Sequence, residues 1–182
     1  MIDLIRKRRS IRKYTSESID KKSINLLVET LLRSPTSRNI KSCEFVIIDN
    51  QELLQKLANS KESGSQFLEH AALGIVVCGN STKTDVWIED GSIASILVQM
   101  TAQSLRLGSC WIQIRNRMHA SGNTAEKYVQ GLLGLPEHMK VLSIISIGHP
   151  DEKRKPVAKS ELDYGRIKHN NYANKYYKSS QN

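Results

Sequence analysis

The chain has 182 residues, 39% of them apolar, and a formal net charge of +9. That length favours one domain, and that apolar content is too high for a disordered chain. No apolar run approaches the ~20 residues of a membrane span, and no apolar stretch follows Met1-Ile2-Asp3 as in a signal peptide, so the expected setting is the cytoplasm.

Residues 2–8 predict a short first helix running into a basic cluster, Arg8-Arg9-Ser10-Ile11-Arg12. Asp20 is placed to cap a second helix, in which Ile24, Leu27, Val28, Leu31 and Leu32 recur at helical spacing. It should stop before Pro35, because the residue ahead of a proline avoids the helical region. The loop Pro35-Thr36-Ser37-Arg38-Asn39 follows. Residues 45–48 read as a buried strand. Leu53, Leu54, Leu57 and Ala58 mark a helix, residues 67–72 a helical turn, and 73–78 a second buried strand.

Residues 90–107 are apolar on more than one face and predict a helix buried nearly all round, at the domain centre or in a subunit interface. Asp90 would cap its start and Gly108 its end. Residues 110–114 form a third strand, 124–133 a helix closed by Gly134 and Pro136, and 141–147 the strongest strand. The stretch 149–160 is charged and irregular. The tail carries Tyr164, Tyr172, Tyr176 and Tyr177 among lysines, too aromatic for a purely solvated segment. Helices mixed with strands that are apolar on both faces imply a sheet covered on both sides, in the α+β or three-layer class.

Most functional motifs are missing. Cys43, Cys78 and Cys110 are an odd count without C-x-x-C spacing, which argues against a disulfide framework and against zinc. Cys78 and Cys110 read as small buried residues. His119 and His138 read as surface or loop residues, and no pair of histidines has ligand spacing, so no metal site is expected. There is no phosphate-binding P-loop, no G-x-G-x-x-G and no G-x-S-x-G. Glu89-Asp90 reads as capping rather than acid–base chemistry. The basic clusters lack interleaved aromatics for base stacking, so nucleic acid is an unfavoured partner. No side chain is assigned as catalytic. A bound cofactor would have to carry any redox chemistry.

By itself, Arg8 to Arg12 reads as a solvated basic helix end, and Pro35 to Asn39 as a helix-stop loop. Together they suit an anionic ligand with a hydrogen-bonding ring. Four motifs in order carry a resemblance. Arg8-Arg9-Ser10-Ile11-Arg12 fits R-[RH]-S-x-[RK], and Pro35-Thr36-Ser37-Arg38-Asn39 with Phe45 fits P-[ST]-S-x-N-x-Q-P-W-x-F. Leu105 to Ile112 fits L-G-L-G-[ST]-C-W-I with a slight shift in composition, and Gly148 to Lys153 fits G-x-P-x-E-K. The chain resembles the FMN-dependent nitroreductase family over essentially its whole length.

The resemblance implies an α+β, three-layer fold with a mixed, mostly antiparallel central sheet flanked by helices, in an intertwined homodimer. It implies one FMN-binding domain over 1–182, with 161–182 an extension that packs on the partner subunit. Arg8, Arg9, Ser10 and Arg12 would hold the phosphate and the pyrimidine side of the flavin. Pro35, Thr36, Ser37 and Asn39 would reach the ring system from the other subunit. Gln113 and Ile114 would bring backbone close to the reactive nitrogen, and Lys159 would add a phosphate contact. NAD(P)H would deliver hydride to the flavin, and a nitroaromatic, quinone or other small-molecule electron acceptor would then take its place, a ping-pong scheme. The alternative is a flavin-binding sensor or carrier without nicotinamide-dependent activity. Lys41-Ser42-Cys43 replaces the family's Gln-Pro-Trp, and the long insertion that forms a lid is missing, which implies an open, basic substrate pocket.

Overall fold

The computed structural model describes residues 1–176. Its centre is a four-stranded sheet made of β1 (Cys43–Ile48), β2 (Leu73–Asn80), β3 (Gly108–Gln113) and β4 (Met139–Gly148), in the order β1-β2-β4-β3. All three pairings are antiparallel. Among the described residues, the parallel pairing is an isolated bridge from Ser10, outside the four strands, to Ser109 of β3.

Side chains alternate across a strand, so β2 and β4 must feed two cores. Val76, Cys78, Val141 and Ile144 join one cluster with Leu54 and Leu57 of α3 (Gln51–Ala58) and Val129 of α5 (Ala125–Leu133). Ile75, Val77, Leu142 and Ile145 join the other with Leu27 and Leu31 of α2 (Lys21–Leu32) and Ala94 and Val98 of α4 (Trp87–Ser104). This is the expected three-layer α+β arrangement, a sheet between two layers of helices. A short α1 (Ile2–Lys7) precedes it.

Local signals account for most helix ends. Asp20 accepts the Ser23 N–H at 2.9 Å, Thr124 accepts that of Lys127 at 3.1 Å, and Gly134 closes α5 at φ 65°. The long helix departs from expectation. It starts at Trp87, so Asp90 lies inside its first turn, buried, and caps nothing. It ends at Ser104, and the reversal is made by Arg106 at φ 61°. Gly108 instead opens β3, where a Cβ would stand 2.8 Å from Ile11. One chain alone does not bury α4 all round, since Ile93 and Ile96 are 40% and 46% exposed, which leaves the interface placement as the expectation for that face. The tail holds a hairpin that the sequence did not suggest, β5 (Lys168–His169) with β6 (Asn171–Lys175). The last part of the expected 161–182 extension, Tyr177 included, lies outside the described residues.

Candidate functional site

At the end of α1 the chain turns extended at Arg8 (φ −62°, ψ 127°), which frees residues 9–12 to lie along the sheet edge. The Ile11 N–H donates to the Ser109 carbonyl at 3.0 Å. Ile11 is buried over Gly108, and the alternation of an extended segment carries Ser10 and Arg12 away from that contact. Arg9 donates from its guanidinium to the Lys155 carbonyl. The Arg12 guanidinium stands 5.8 Å from the centre of the Phe67 ring, within cation–π range.

The electrostatics show what gathers here. Burial raises the Cys110 thiol above its ordinary pKa, and the charge of Arg12, a hydrogen bond from Ser10, and the charges of Arg8 and Lys61 all pull it back. Lys61 itself is held below the usual lysine value, first by burial and then by Arg117. Arg8, Arg12 and Lys61 thus act on Cys110 beside Ser10, and Arg117 acts on Lys61. Among the described residues, none of these four side chains is in an ion pair. Like charges crowded without salt bridges of their own favour binding an anion, since the nearby Glu152 carboxylate is engaged by the Arg12 backbone N–H and by Arg154, and guanidinium forks suit a phosphate. A flavin phosphate fits that donor set. Neither Lys61 nor Arg117 belongs to a motif that the sequence could show; only the fold brings Lys61 within influence of Cys110, and Arg117 of Lys61.

The second motif is built differently. Thr36 is extended (φ −133°, ψ 149°), and Ser37–Asn39 form one 3-10 turn. Arg38, Asn39 and Lys41 have φ of 50°, 56° and 53°. Left-handed backbone costs an L-residue roughly 1–2 kcal/mol, so the surroundings must hold this loop in place. Two contacts do so. The Ser37 N–H donates to Asp90 Oδ1 at 2.9 Å, and the Lys41 N–H to Thr36 Oγ1 at 3.1 Å. Beneath them, Asp90 Oδ2 and Ser42 Oγ are buried without a hydrogen-bond partner among the described residues.

One chain does not bring the two motifs together. The arginine segment meets Ser109, just past the end of α4, while the Ser37 loop meets Asp90 at its start. From Asp90 to Ser104 is fourteen residues, about 21 Å at the helical rise of ~1.5 Å per residue. A cavity of about 460 Å³ between residues 14–18 and 69–72 includes none of the expected site residues.

The remaining expected residues are spread out. Gln113 is half-buried at the end of β3; its Oε1 accepts the Trp111 Nε1–H at 2.9 Å, and its Nε2 donates to the Arg115 carbonyl at 2.9 Å. Ile114 is wholly buried in the core, and its N–H donates to the Leu142 carbonyl at 3.2 Å. Lys159 opens an exposed 3-10 turn, and among the described residues no hydrogen bond or ion pair joins its side chain to the arginine segment.

The nitroreductase family model matches residues 5–78, a span holding both motifs. The fold superposes on an FMN-dependent nitroreductase from Clostridium difficile with a TM-score of 0.92 and 41% identity, over 94% of this chain and 99% of that one. The chain belongs to the nitroreductase family. This nitroreductase-family chain is also 29% identical over 157 residues to an Archaeoglobus fulgidus protein provisionally named an NADH dehydrogenase/NAD(P)H nitroreductase, covering 84% of this chain and 87% of that one. It is 28% identical over 185 residues to the NADPH-flavin oxidoreductase of Vibrio harveyi, covering 93% of this chain and 73% of that one. Among its described residues, no helix is long and apolar enough to cross a membrane.

Proposed function

We propose that this chain is an FMN-dependent NAD(P)H oxidoreductase that works as a homodimer and reduces electron-poor small molecules, nitroaromatics and quinones among them. Family membership supports the cofactor and the donor, since relatives carry FMN and NADPH in their names. The observation that carries the reading is the arginine segment laid along β3 by the Ile11–Ser109 bond, with Arg8, Arg12 and Lys61 acting on Cys110, and the hydroxyl loop tied to Asp90 at the far end of α4.

That separation is what a two-fold assembly would use. Two α4 helices packed antiparallel through Ile93 and Ile96 would bring the Ser37 loop of one copy to the arginine segment of the other. In that assembly Arg8, Arg9, Ser10, Arg12 and Lys159 hold the phosphate and pyrimidine end. Pro35, Thr36, Ser37 and Asn39 of the second copy meet the ring, and half-buried Gln113 lies toward its reactive edge, backed by Ile114 from the core. The extension from residue 161 packs on the partner, a reading supported by Tyr172 at 87% exposure.

FMN, when bound, supplies the two-electron redox chemistry. The chain's part is orientation and charge: its cations favour the anionic form of the reduced ring. Donor and acceptor use one place in turn, giving ping-pong kinetics. Exposed Arg38 and Lys41 support an open, basic pocket for the acceptor. The three free cysteines suit a cytoplasmic setting.

The test is anaerobic. Purified protein loaded with FMN should bleach in the flavin band on adding NADH or NADPH, and recover colour on adding a nitroaromatic or a quinone. Bleaching by dithionite alone would favour the flavin-binding module. Failure to retain FMN would end the reading.

A further inference from the structure

The arginine segment is not held only by the sheet. Residues 149–155, some 140 positions later in the chain, are laid along residues 9–15. The Thr15 N–H donates to the His149 carbonyl at 2.9 Å and the Asp151 N–H to the Lys13 carbonyl at 2.9 Å. Tyr14 bridges Pro150, and Arg9 reaches the Lys155 carbonyl. Of the two acidic residues in this seam, Asp151 and Glu152, the second is held on both carboxylate oxygens. Its Oε1 accepts the Arg12 backbone N–H at 2.6 Å, and its Oε2 accepts Arg154 Nε at 2.6 Å. Its side chain is 11% exposed.

A carboxylate beside a site for an anion is out of place by charge alone, since it repels the phosphate that the arginines attract. Its geometry explains it. One oxygen fixes the backbone from which the Arg12 side chain springs, and the other fixes the guanidinium of Arg154. Both bonds are charge-assisted, the strong class of hydrogen bond. The Arg12 N–H, and then Arg154, hold the Glu152 carboxyl below the usual glutamate range, so the arrangement is intact at neutral pH.

We infer that Glu152 is a positioning residue for phosphate recognition, setting Arg12 and Arg154 so that the site binds FMN in preference to riboflavin. The inference rests on the flavin reading above.

The two explanations of Glu152 differ in sign. If its charge were all that mattered, Glu152→Gln would remove a repulsion and raise the preference for FMN over riboflavin. Positioning predicts the reverse, although the site gains positive charge. The preference, the ratio of the riboflavin Kd to the FMN Kd, should fall about tenfold, the scale of one charge-assisted hydrogen bond. Both constants come from quenching of flavin fluorescence on titration with apoprotein. Glu152→Asp keeps the charge and withdraws the reach, so it should lower the ratio too and serves if the glutamine variant fails to fold. Riboflavin has no phosphate, and its Kd should stay within about twofold in either variant. A ratio that rises or stays level, or a parallel loss of both flavins, would overturn the inference while leaving the cofactor assignment standing. Wild-type protein blind to both flavins would overturn both.

Discussion

Asp90 Oδ1 accepts the backbone N–H of Ser37 at 2.9 Å, tying the first turn of α4 to a loop fifty-three positions earlier in the chain. The carboxylate is only 4% exposed, and the loop it holds carries three non-glycine residues at positive φ. Asp90→Ala leaves the Ser37 N–H without its acceptor and should cost about 1–3 kcal/mol of stability. Asp90→Asn keeps an oxygen in place and should recover most of it. Urea unfolding gives the magnitudes, and amide exchange at Ser37 locates the effect. An alanine variant as stable as the parent, with Ser37 equally protected, would show that something else holds the loop.

Ile93 and Ile96 lie one helical turn apart on the exposed stripe of α4. If this stripe joins two copies, Ile96→Glu places a charge against its own symmetry mate, or against apolar side chains. The expected outcome is a folded monomer in sedimentation velocity, with FMN affinity reduced at least tenfold because the Ser37 loop no longer reaches the arginine segment. A dimer that persists with full flavin affinity would move the interface elsewhere.

At Gly108, a Cβ would stand 2.8 Å from both Cβ and Cγ2 of Ile11, and Ile11 is the residue that seats the arginine segment on β3. Gly108→Ala should therefore destabilise the fold by about 1–3 kcal/mol, as overpacking does. It should also weaken FMN binding more than a surface Gly131→Ala, where a Cβ meets nothing within 4 Å. Thermal unfolding and flavin titration of the two variants together make the comparison.

Burial, and then the charge of Asp90, push the Cys43 thiol up to about 11; burial pushes Cys78 to about 12. In an unfolded chain a thiol ionises near ~8.5. The folded state thus favours the protonated thiol. That contribution to stability is complete below about pH 8.5 and is lost as pH rises through 11 and 12. Stability should decline across this alkaline window, and less steeply in Cys43→Ala. Lysines titrate in the same range, so the informative measurement is the difference between parent and variant midpoints in urea at each pH. Identical slopes would mean that Cys43 is more accessible than its packing indicates.

Much of the architecture could be read directly from the chain, and the misreadings have particular causes. Asp20, Thr124 and Gly134 act on backbone within a few residues, so their roles follow from local geometry. Asp90 reads as a cap in the sequence because a carboxylate near a helix start serves equally as a cap and as an acceptor for a distant N–H. Gly108 reads as a C-cap in the sequence because a glycine after a helix suits one; its actual role depends on how close Ile11 comes. The β5–β6 hairpin has a polar tip and no apolar alternation to announce it.

The sequence by itself determined most of the helices, the four strands of the two-faced sheet and the motifs that mark the family, because each of these rests on residues close together along the chain. Only the tertiary structure decided that Lys61 acts on the same thiol as Arg8 and Arg12, that Glu152 ties the Arg12 backbone to Arg154, and that the two motifs stand at opposite ends of α4. Charges and hydrogen bonds act through space, and distance in space is set by how the layers pack.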